Sequence, residues 1–245
     1  MQVNADHAPI TITAFKWVPP FARGQVRDFR LRWMMKEVGW SYDVELIDGD
    51  TLATDAYRAE HPFGQVPLLR EEGRPTLFET GGIVLDIAER TGKLLPEDAG
   101  ERAIVKCWTY AALNSVEPFL MEVSFADIFI EDKEIAAGYR PFAEKMARDR
   151  LDKLANALGD REWLAGGDFT IADLMMASVV KVADSARLVE EHDNLAAWRD
   201  RCFARPAYRE AIAEQCADFE GYGPQDMGWS DDFAAQMAEK EGERA

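Results

Sequence analysis

The segments whose patterning predicts β-strands all lie before residue 80, and this placement limits the possible folds more than any other feature. Apolar and polar residues alternate at residues 10–14, as they do in a half-buried strand. A helical stripe of apolar residues follows at residues 26–38, and Gly39 is suited to end that helix. A second strand is predicted at residues 42–47. The chain therefore begins as a β-α-β unit.

Further short elements complete the predicted N-terminal domain. In chain order they are a polar helix at residues 50–60 ended by His61-Pro62, strands at 66–69 and 76–78, and a helix at 81–90 ended by Gly92. The two strands flank a turn at residues 71–74, so they form a hairpin. The order β-α-β-(α)-β-β-α predicts a small α+β domain over residues 1–92.

The rest of the chain is patterned as helices. A linker is predicted at residues 93–100, which contain Pro96 and Gly100, followed by an all-α helical domain at residues 101–218. Residues 219–245 mix Gly, Pro, Asp and Glu and are expected to form a loosely attached acidic tail.

One helix start in this half has a complete local pattern. Thr170 is a suitable N-cap, and Asp173 at N3 can accept a hydrogen bond from the backbone N–H of that cap. Phe169 and Leu174 occupy the positions of a hydrophobic staple. We interpret the motif as structural, with a contribution of about 1 kcal/mol to stability.

Charge and composition exclude several classes of partner. The net charge of -17 repels nucleic acid and anionic membrane surfaces. The first residues lack the pattern of a signal peptide, and no apolar run is long enough to span a bilayer. Cys107, Cys202 and Cys216 are too far apart in sequence to suggest a disulfide framework or a metal site. We expect a cytoplasmic protein without a metal.

Four motifs stand out along the chain: HPFGQVPLL, LFETGGIVLDIAERTGKLLP, WLAGGDFTIADLMMASV and NLAAWRDRCFARPAYREA. Together they resemble motifs of the cytosolic glutathione transferase family. Their order and spacing are similar to that family from about residue 10 to about residue 215. The resemblance implies a thioredoxin-like N-terminal domain, an all-α C-terminal domain, a homodimer, and glutathione as co-substrate.

The resemblance also implies a glutathione site in the first domain. The family offers the N–H and C=O of the residue before a cis-proline to the cysteinyl unit, here Val66 before Pro67. Glu79 would pair with the γ-glutamyl ammonium, and Thr80 at a helix start would take the γ-glutamyl carboxylate. Gln65 would bond near the backbone of the peptide.

The segment after the first strand departs from the family. Relatives usually place a Tyr, Ser or Cys there to activate the glutathione thiol, but no hydroxyl or thiol occurs between Thr13 and Ser41. Three groups can replace it: the N-terminus of the first helix, the charge of Arg23, and the indole N–H of Trp17. We favour the helix start together with Arg23, and a packing role for Trp17.

The function that the resemblance implies is conjugation of the glutathione thiol to a small apolar electrophile. Tyr110 and Asn114 are predicted to line the electrophile pocket. The other candidates for that pocket are Trp108, Phe119, Phe125 and Phe129. The alternative is a glutathione transferase-like binding or interaction protein without catalysis, which the missing Tyr, Ser or Cys favours. A thiol-disulfide oxidoreductase is disfavoured because it would need a cysteine after the first strand.

Overall fold

The computed structural model describes residues 7–228 of the chain. These residues fall into two compact units: unit 1 takes residues 7–84 and 207–228, and unit 2 takes Leu85–Pro206. The last long helix therefore groups with the sheet, although it follows the helical half in sequence. The predicted boundaries at residues 92, 100 and 218 stay predictions.

Unit 1 is built on a four-stranded sheet with the order β2-β1-β3-β4. Strand β1 pairs in parallel with β2 and antiparallel with β3, and β3 pairs antiparallel with β4. The strands are β1 Ile10–Phe15, β2 Asp43–Ile47, β3 Leu68–Glu71 and β4 Leu77–Phe78. In residues 7–84 of this unit four helices begin: α1 Asp28–Val38, α2 Gly49–Ala53, α3 Asp55–Glu60 and α4 Thr80–Thr91. Near the end of the chain, α10 Pro206–Asp218 also belongs to unit 1, except for its first residue.

This arrangement confirms the predicted fold class: a thioredoxin-like α+β domain, with the remaining elements helical. The turn after α1 is also as predicted, since Gly39 adopts a φ of 77° that favours glycine. The single helix predicted at residues 50–60 is wrong in one respect. Thr54 is extended and its side chain caps α3 by accepting a hydrogen bond from the Tyr57 N–H, which divides the segment into α2 and α3.

The prediction that β1 is only half buried is wrong at Thr13. An alternating strand would leave Thr13 on the outer face, but Ile12, Thr13 and Ala14 are all buried. The sheet is covered on both faces along this part of β1, which is an inner strand with β2 and β3 on either side. A buried hydroxyl needs hydrogen-bond partners, and one of those of Thr13 lies at the start of β3.

Helix α1 is buried along both the predicted apolar stripe and its polar positions. Phe29, Trp33 and Met34 are fully buried as the stripe predicts, but so are Arg30 and Arg32. Helix α10 covers α1 on the side that carries Arg32. The periodicity of α1 alone could not predict that this side would be buried.

The contacts of Arg32 connect α1 to α10 within unit 1. Its guanidinium donates to Asp28 Oδ2 at 2.8 Å, Glu214 Oε1 at 3.1 Å and Asp218 Oδ2 at 2.5 Å. Gln215 Nε2 also donates to the Val26 carbonyl, at 2.9 Å. This network holds α10 in unit 1.

The prediction of a loosely attached tail is wrong for residues 219–228, because this segment packs into unit 1. Phe219 and Met227 are each only 2 % exposed. The Met227 carbonyl lies 2.8 Å from where a Cβ on Gly49 would stand, so only glycine fits at that position of α2. Residues 229–245 of the predicted tail lie outside the described part of the chain.

Unit 2 is helical and contains most of α4. Its other helices are α5 Ala99–Ala111, α6 Glu117–Ile128, α7 Lys133–Leu158, α8 Ile171–Val180 and α9 Asp193–Phe203, with a π-helical segment at Ala112–Val116 between α5 and α6. Helix α8 is buried along its whole length and forms the centre of this unit. Within residues 7–228, no helix is long and apolar enough to cross a membrane.

The predicted capping box at the start of α8 is confirmed. The Asp173 carboxylate accepts hydrogen bonds from the Thr170 N–H at 3.0 Å and the Thr170 hydroxyl at 3.1 Å. It also accepts from the Leu164 N–H at 2.7 Å and from Trp198 Nε1 at 3.0 Å. Asp173 therefore ties the start of α8 to the preceding loop and to α9, which is more than its own cap requires.

Candidate functional site

The backbone at Val66 is the most exceptional feature of unit 1. The Val66-Pro67 peptide bond is cis, as the resemblance implied. Val66 is only 7 % exposed, yet neither its N–H nor its C=O bonds to another residue in the described range 7–228. Buried backbone groups are nearly always paired, so an unpaired donor and acceptor on one residue indicate a place where another chain can add.

Glu79 and Thr80 follow β4 at the end of the hairpin where Val66 and Pro67 precede β3. Leu68 pairs with Phe78, so the segments 66–67 and 79–80 meet the sheet at the same end. The fold therefore brings together two motifs that are separated in sequence and that the resemblance assigns to one ligand.

Glu79 has a backbone conformation that is rare for its residue type. Its φ is 68°, in the region that favours glycine, and its carbonyl accepts the Ile83 N–H as the first bond of α4. Such strained residues cluster at functional sites, where surrounding structure holds them in place. Here the strain directs an exposed carboxylate outwards at the point where α4 begins.

Arg30 is a residue of this corner that the sequence interpretation missed. It is 2 % exposed, and its Nη1 donates to Thr80 Oγ1 at 3.5 Å. The first N–H groups of α4 supply a positive potential at this helix start. The corner therefore has an exposed carboxylate at Glu79 and a positive region at Thr80, and it matches a ligand that carries an ammonium next to a carboxylate.

His61 packs under the same corner without adding charge. Its ring lies 5.2 Å from that of Phe78, and burial lowers the pKa of His61, although the charge of Glu79 acts in the opposite direction. The imidazole is therefore neutral at neutral pH, and it does not compete with a ligand cation for Glu79.

Several known proteins that are similar to this chain carry the name of one family. Residues 129–206 match the family described as glutathione S-transferase, C-terminal domain. Glutathione S-transferase 3 of Schizosaccharomyces pombe is 27 % identical over 207 residues, which cover 78 % of this chain and 85 % of the relative. Glutathione S-transferase F10 of Arabidopsis thaliana is 28 % identical over 196 residues, which cover 73 % of this chain and 88 % of the relative. The chain is similar to glutathione S-transferases over most of its length.

Solved structures share the fold at lower sequence identity. A glutathione transferase from Burkholderia graminis, with glutathione bound, superposes with a TM-score of 0.73 at 21 % identity, covering 88 % of this chain and 90 % of the other. A family member from Pseudomonas fluorescens, also with glutathione bound, gives a TM-score of 0.71 at 21 % identity, covering 83 % of this chain and 92 % of the other. These likenesses support the two-part fold of a glutathione S-transferase.

The segment that carries the usual catalytic residue of a glutathione S-transferase has a distinct structure here. After β1 the chain forms a short 3₁₀ helix at Pro20–Ala22, and α1 begins only at Asp28. Arg23 lies between them, is exposed, and holds its guanidinium 6.0 Å from the centre of the Phe219 ring. Trp17 is half-buried at the start of the segment. Their predicted roles stay predictions.

The first turn of α1 carries a buried carboxylate of its own. Burial raises the pKa of Asp28 to about 6, while Arg32 and Gln215 act in the opposite direction. At neutral pH the Asp28 carboxylate is therefore mostly charged, and its charge is paired with the Arg32 guanidinium at 2.8 Å.

The residues predicted for the electrophile pocket all lie in unit 2. Tyr110 is 49 % exposed near the end of α5, and Asn114 is exposed in the π-helical segment one turn later. Such segments occur frequently at functional sites.

The other aromatic candidates differ in exposure. Phe125 and Phe129 are also exposed, with ring centres 5.6 Å apart, whereas Phe119 is covered by Arg150 at 3.9 Å. Tyr110 and Asn114 are therefore both accessible in unit 2, and their role in substrate binding stays a prediction.

The other features of the described residues do not add to this site. A cavity of about 350 Å³ in unit 2 is lined by residues 94–97, Glu101 and residues 165–170, none of which is a predicted site residue. Among residues 7–228 there is no group of three or more His, Cys, Asp or Glu side chains that could hold a metal ion.

Proposed function

We propose that this chain is a glutathione transferase that joins the glutathione thiol to a small apolar electrophile. The observation that carries the proposal is the unpaired N–H and C=O of Val66 beside the Glu79–Thr80 corner. The sulfur of glutathione loses its proton and forms a bond to an electrophilic carbon. Either a leaving group departs from that carbon with its bonding electrons, or a double bond or strained ring bond at that carbon breaks and its electrons move to the far atom of that bond or conjugated system, which takes up the proton. The names of the relatives and the glutathione bound in solved structures of the fold support this assignment.

The cysteinyl and γ-glutamyl parts of glutathione each have a matching group in unit 1. The cysteinyl unit pairs with the Val66 backbone, as an added strand pairs with a sheet edge. Its γ-glutamyl ammonium pairs with Glu79, and its γ-glutamyl carboxylate lies at the Thr80 end of α4, next to the charge of Arg30. Gln65 has an exposed side chain beside Val66 and bonds near the peptide backbone.

We expect Glu79→Ala to weaken glutathione binding by about 1.5–3 kcal/mol, because the ligand ammonium is left without its carboxylate. This corresponds to a rise in Kd of roughly 10- to 150-fold in calorimetric titration. Glu72→Ala is the matched control, since Glu72 is an exposed carboxylate in the turn of the same hairpin. Equal affinities for the parent and Glu79→Ala would remove Glu79 from the site.

The thiolate is stabilised by the start of α1 together with Arg23, and Trp17 serves chiefly in packing. A cation near a thiol lowers its pKa because it favours the charged form. We expect Arg23→Ala to raise the pKa of the bound glutathione thiol and to reduce turnover at neutral pH. Ultraviolet absorbance of the thiolate, titrated against pH, measures the first effect. An unchanged thiol pKa in the variant would make Arg23 a surface residue stacked on Phe219.

A second candidate function is a glutathione transferase-like binding or interaction protein without catalysis. The absence of any hydroxyl or thiol between Thr13 and Ser41 favours it, and so does the engagement of the Thr13 hydroxyl with the β3 start. Turnover assays with a panel of electrophiles separate the two functions. Tight glutathione binding without turnover on any of them would support the second.

The remaining features of the proposal follow the family. The partner is a small-molecule electrophile that meets Tyr110 and Asn114, and the protein acts in the cytoplasm as a homodimer without nucleic acid, membrane or metal. An exposed aromatic residue next to the site, Phe63, is compatible with burial against a second copy.

A further inference from the structure

Two buried hydroxyl groups connect the two ends of the backbone segment that contains Val66. The Leu68 N–H donates to Thr13 Oγ1 at 2.8 Å, and Thr13 Oγ1 lies 3.0 Å from the Tyr57 hydroxyl. The Tyr57 hydroxyl in turn donates to the Gln65 carbonyl at 2.8 Å. We call this chain of three hydrogen bonds, from Leu68 through Thr13 and Tyr57 to Gln65, the hydroxyl relay.

The relay has only one arrangement of protons. Tyr57 has a single hydroxyl proton, which it gives to the Gln65 carbonyl, so the Thr13 hydroxyl must donate to Tyr57. Thr13 is then free to accept from the Leu68 N–H. Every hydroxyl in the chain both donates and accepts, and each bond polarises the next in the same direction.

The surroundings make the relay rigid. Thr13 is fully buried, and the Tyr57 ring packs in an apolar cluster with Ile47, Val66 and Leu68. Burial raises the pKa of the Tyr57 phenol, so it stays protonated and remains a donor. In such an environment a broken hydrogen bond leaves a buried polar group unpaired, so alternative positions of the segment are disfavoured.

The relay also decides which backbone groups are left for a ligand. It occupies the Gln65 carbonyl before Val66 and the Leu68 N–H after it, and Pro67 has no N–H. Within residues 65–68 of the described chain, Val66 alone leaves both its N–H and its C=O without a bond. A peptide that pairs with both groups of one residue is therefore centred on Val66.

We propose that the Thr13 and Tyr57 hydroxyls are positioning groups that fix the Val66 backbone for a peptide ligand. The role rests on the proposed function, because the ligand is the glutathione backbone. Neither hydroxyl touches that ligand, since both bond to the segment from within unit 1. The pairing of β1 with β3 does not account for the Tyr57 bond, because Gln65 lies outside every strand of the described residues.

Three variants test the relay. Tyr57→Phe keeps the packed ring and removes the hydroxyl, Thr13→Val keeps the shape and removes the hydroxyl, and Thr13→Ser keeps the hydroxyl. Calorimetric titration with glutathione gives the affinity, and urea unfolding gives the folded fraction to which each affinity is referred. Amide hydrogen exchange at Val66, with and without glutathione, reports whether the ligand still pairs with this backbone.

We expect Tyr57→Phe and Thr13→Val to weaken glutathione binding on the order of tenfold, the effect of one lost hydrogen bond. Glutathione should slow amide hydrogen exchange at Val66 in the parent and in Thr13→Ser. It should slow this exchange much less in Tyr57→Phe and Thr13→Val. If Thr13→Val does not fold, Tyr57→Phe alone decides. Unchanged affinity and unchanged protection at Val66 in folded Tyr57→Phe would overturn the positioning role and leave the proposed function standing. A parent protein that binds no glutathione would overturn both.

Discussion

We expect Asp173→Ala to lower the free energy of unfolding by about 3–5 kcal/mol, because four donors lose one buried acceptor. They are the N–H groups of Leu164 and Thr170, the Thr170 hydroxyl and Trp198 Nε1. Asp173 and Trp198 are both fully buried, so water cannot replace the carboxylate. In a chain of this length the melting temperature should fall by roughly 6–20 °C.

The matched control for this experiment is Asp168→Ala. Asp168 is an exposed carboxylate in the same loop, so its removal should change the melting temperature little. Asp173 belongs to unit 2, whereas the proposed glutathione residues belong to unit 1, so affinity in the folded fraction should stay the same. A loss of only about 1 kcal/mol would reduce Asp173 to an ordinary helix cap and contradict the wider role that its contacts indicate.

The contrast between Asp173 and its neighbours shows what the sequence could and could not predict. The cap itself was predictable, because N-cap, N3 and staple positions are fixed by local spacing. The bonds to Leu164 and Trp198 were not, because they depend on how the loop and α9 fold back onto α8. The geometry of a helix cap is determined by a few adjacent residues, whereas tertiary contacts depend on residues far apart in the sequence.

The same distinction holds at the candidate site. Glu79, Thr80 and the cis Val66-Pro67 bond were predicted from the motifs of a resembling family; the cis bond is confirmed, and the hairpin brings the two segments to one end of the sheet. Thr13 and Arg30 were missed. Thr13 looked like an outward residue of a half-buried strand, and Arg30 looked like an exposed position of an amphipathic helix. Their burial is caused by elements that the periodicity of their own segments does not encode.

The tail prediction was partly wrong for a related reason. Residues 219–228 are rich in Gly, Pro and Asp, a composition typical of loosely held termini. Two apolar residues in the segment, Phe219 and Met227, are enough to anchor it, because each is buried in unit 1. The composition of a segment is an average over all its residues, but whether the segment packs against the domain depends on a few apolar ones.

We expect Arg32→Leu to lower the free energy of unfolding by about 3–5 kcal/mol at neutral pH, because it leaves the Asp28 carboxylate buried without its cation. Arg32 and Asp28 are both fully buried, and their ion pair measures 2.8 Å. The other partners of Arg32, Glu214 and Asp218, are partly exposed and can regain water. Most of the cost should therefore come from Asp28. Chemical unfolding at several pH values measures it.

The sign of the pH dependence follows from the pKa of Asp28. Burial already raises this pKa to about 6 in the parent, and without the Arg32 charge it should rise further. A carboxyl whose pKa is higher folded than unfolded binds more protons in the folded state, so the free energy of unfolding falls as pH rises through this window. The penalty in Arg32→Leu, measured against the parent, should thus grow as the pH rises above about 6, where Asp28 is charged in the parent and still holds its proton in the variant. Below about pH 6 Asp28 is protonated in both folded chains, so its contribution to the penalty should no longer change with pH.

The double variant Arg32→Leu with Asp28→Asn isolates this cause. The amide that replaces the Asp28 carboxyl cannot ionise, and it still offers an oxygen to Gln215, which donates to Asp28 Oδ1 in the parent. We expect the double variant to recover most of the stability lost at neutral pH and to lose the added pH dependence. Burial raises the pKa of Glu214, but its contacts with Lys36 and Tyr42 lower it by more. Its effect on stability therefore runs opposite to that of Asp28 as the pH changes. Glu214 is present in both variants, so this effect largely cancels when the two are compared. A double variant as unstable as Arg32→Leu would mean that the cost lies in lost packing of the Arg32 side chain between α1 and α10, and not in the buried charge of Asp28.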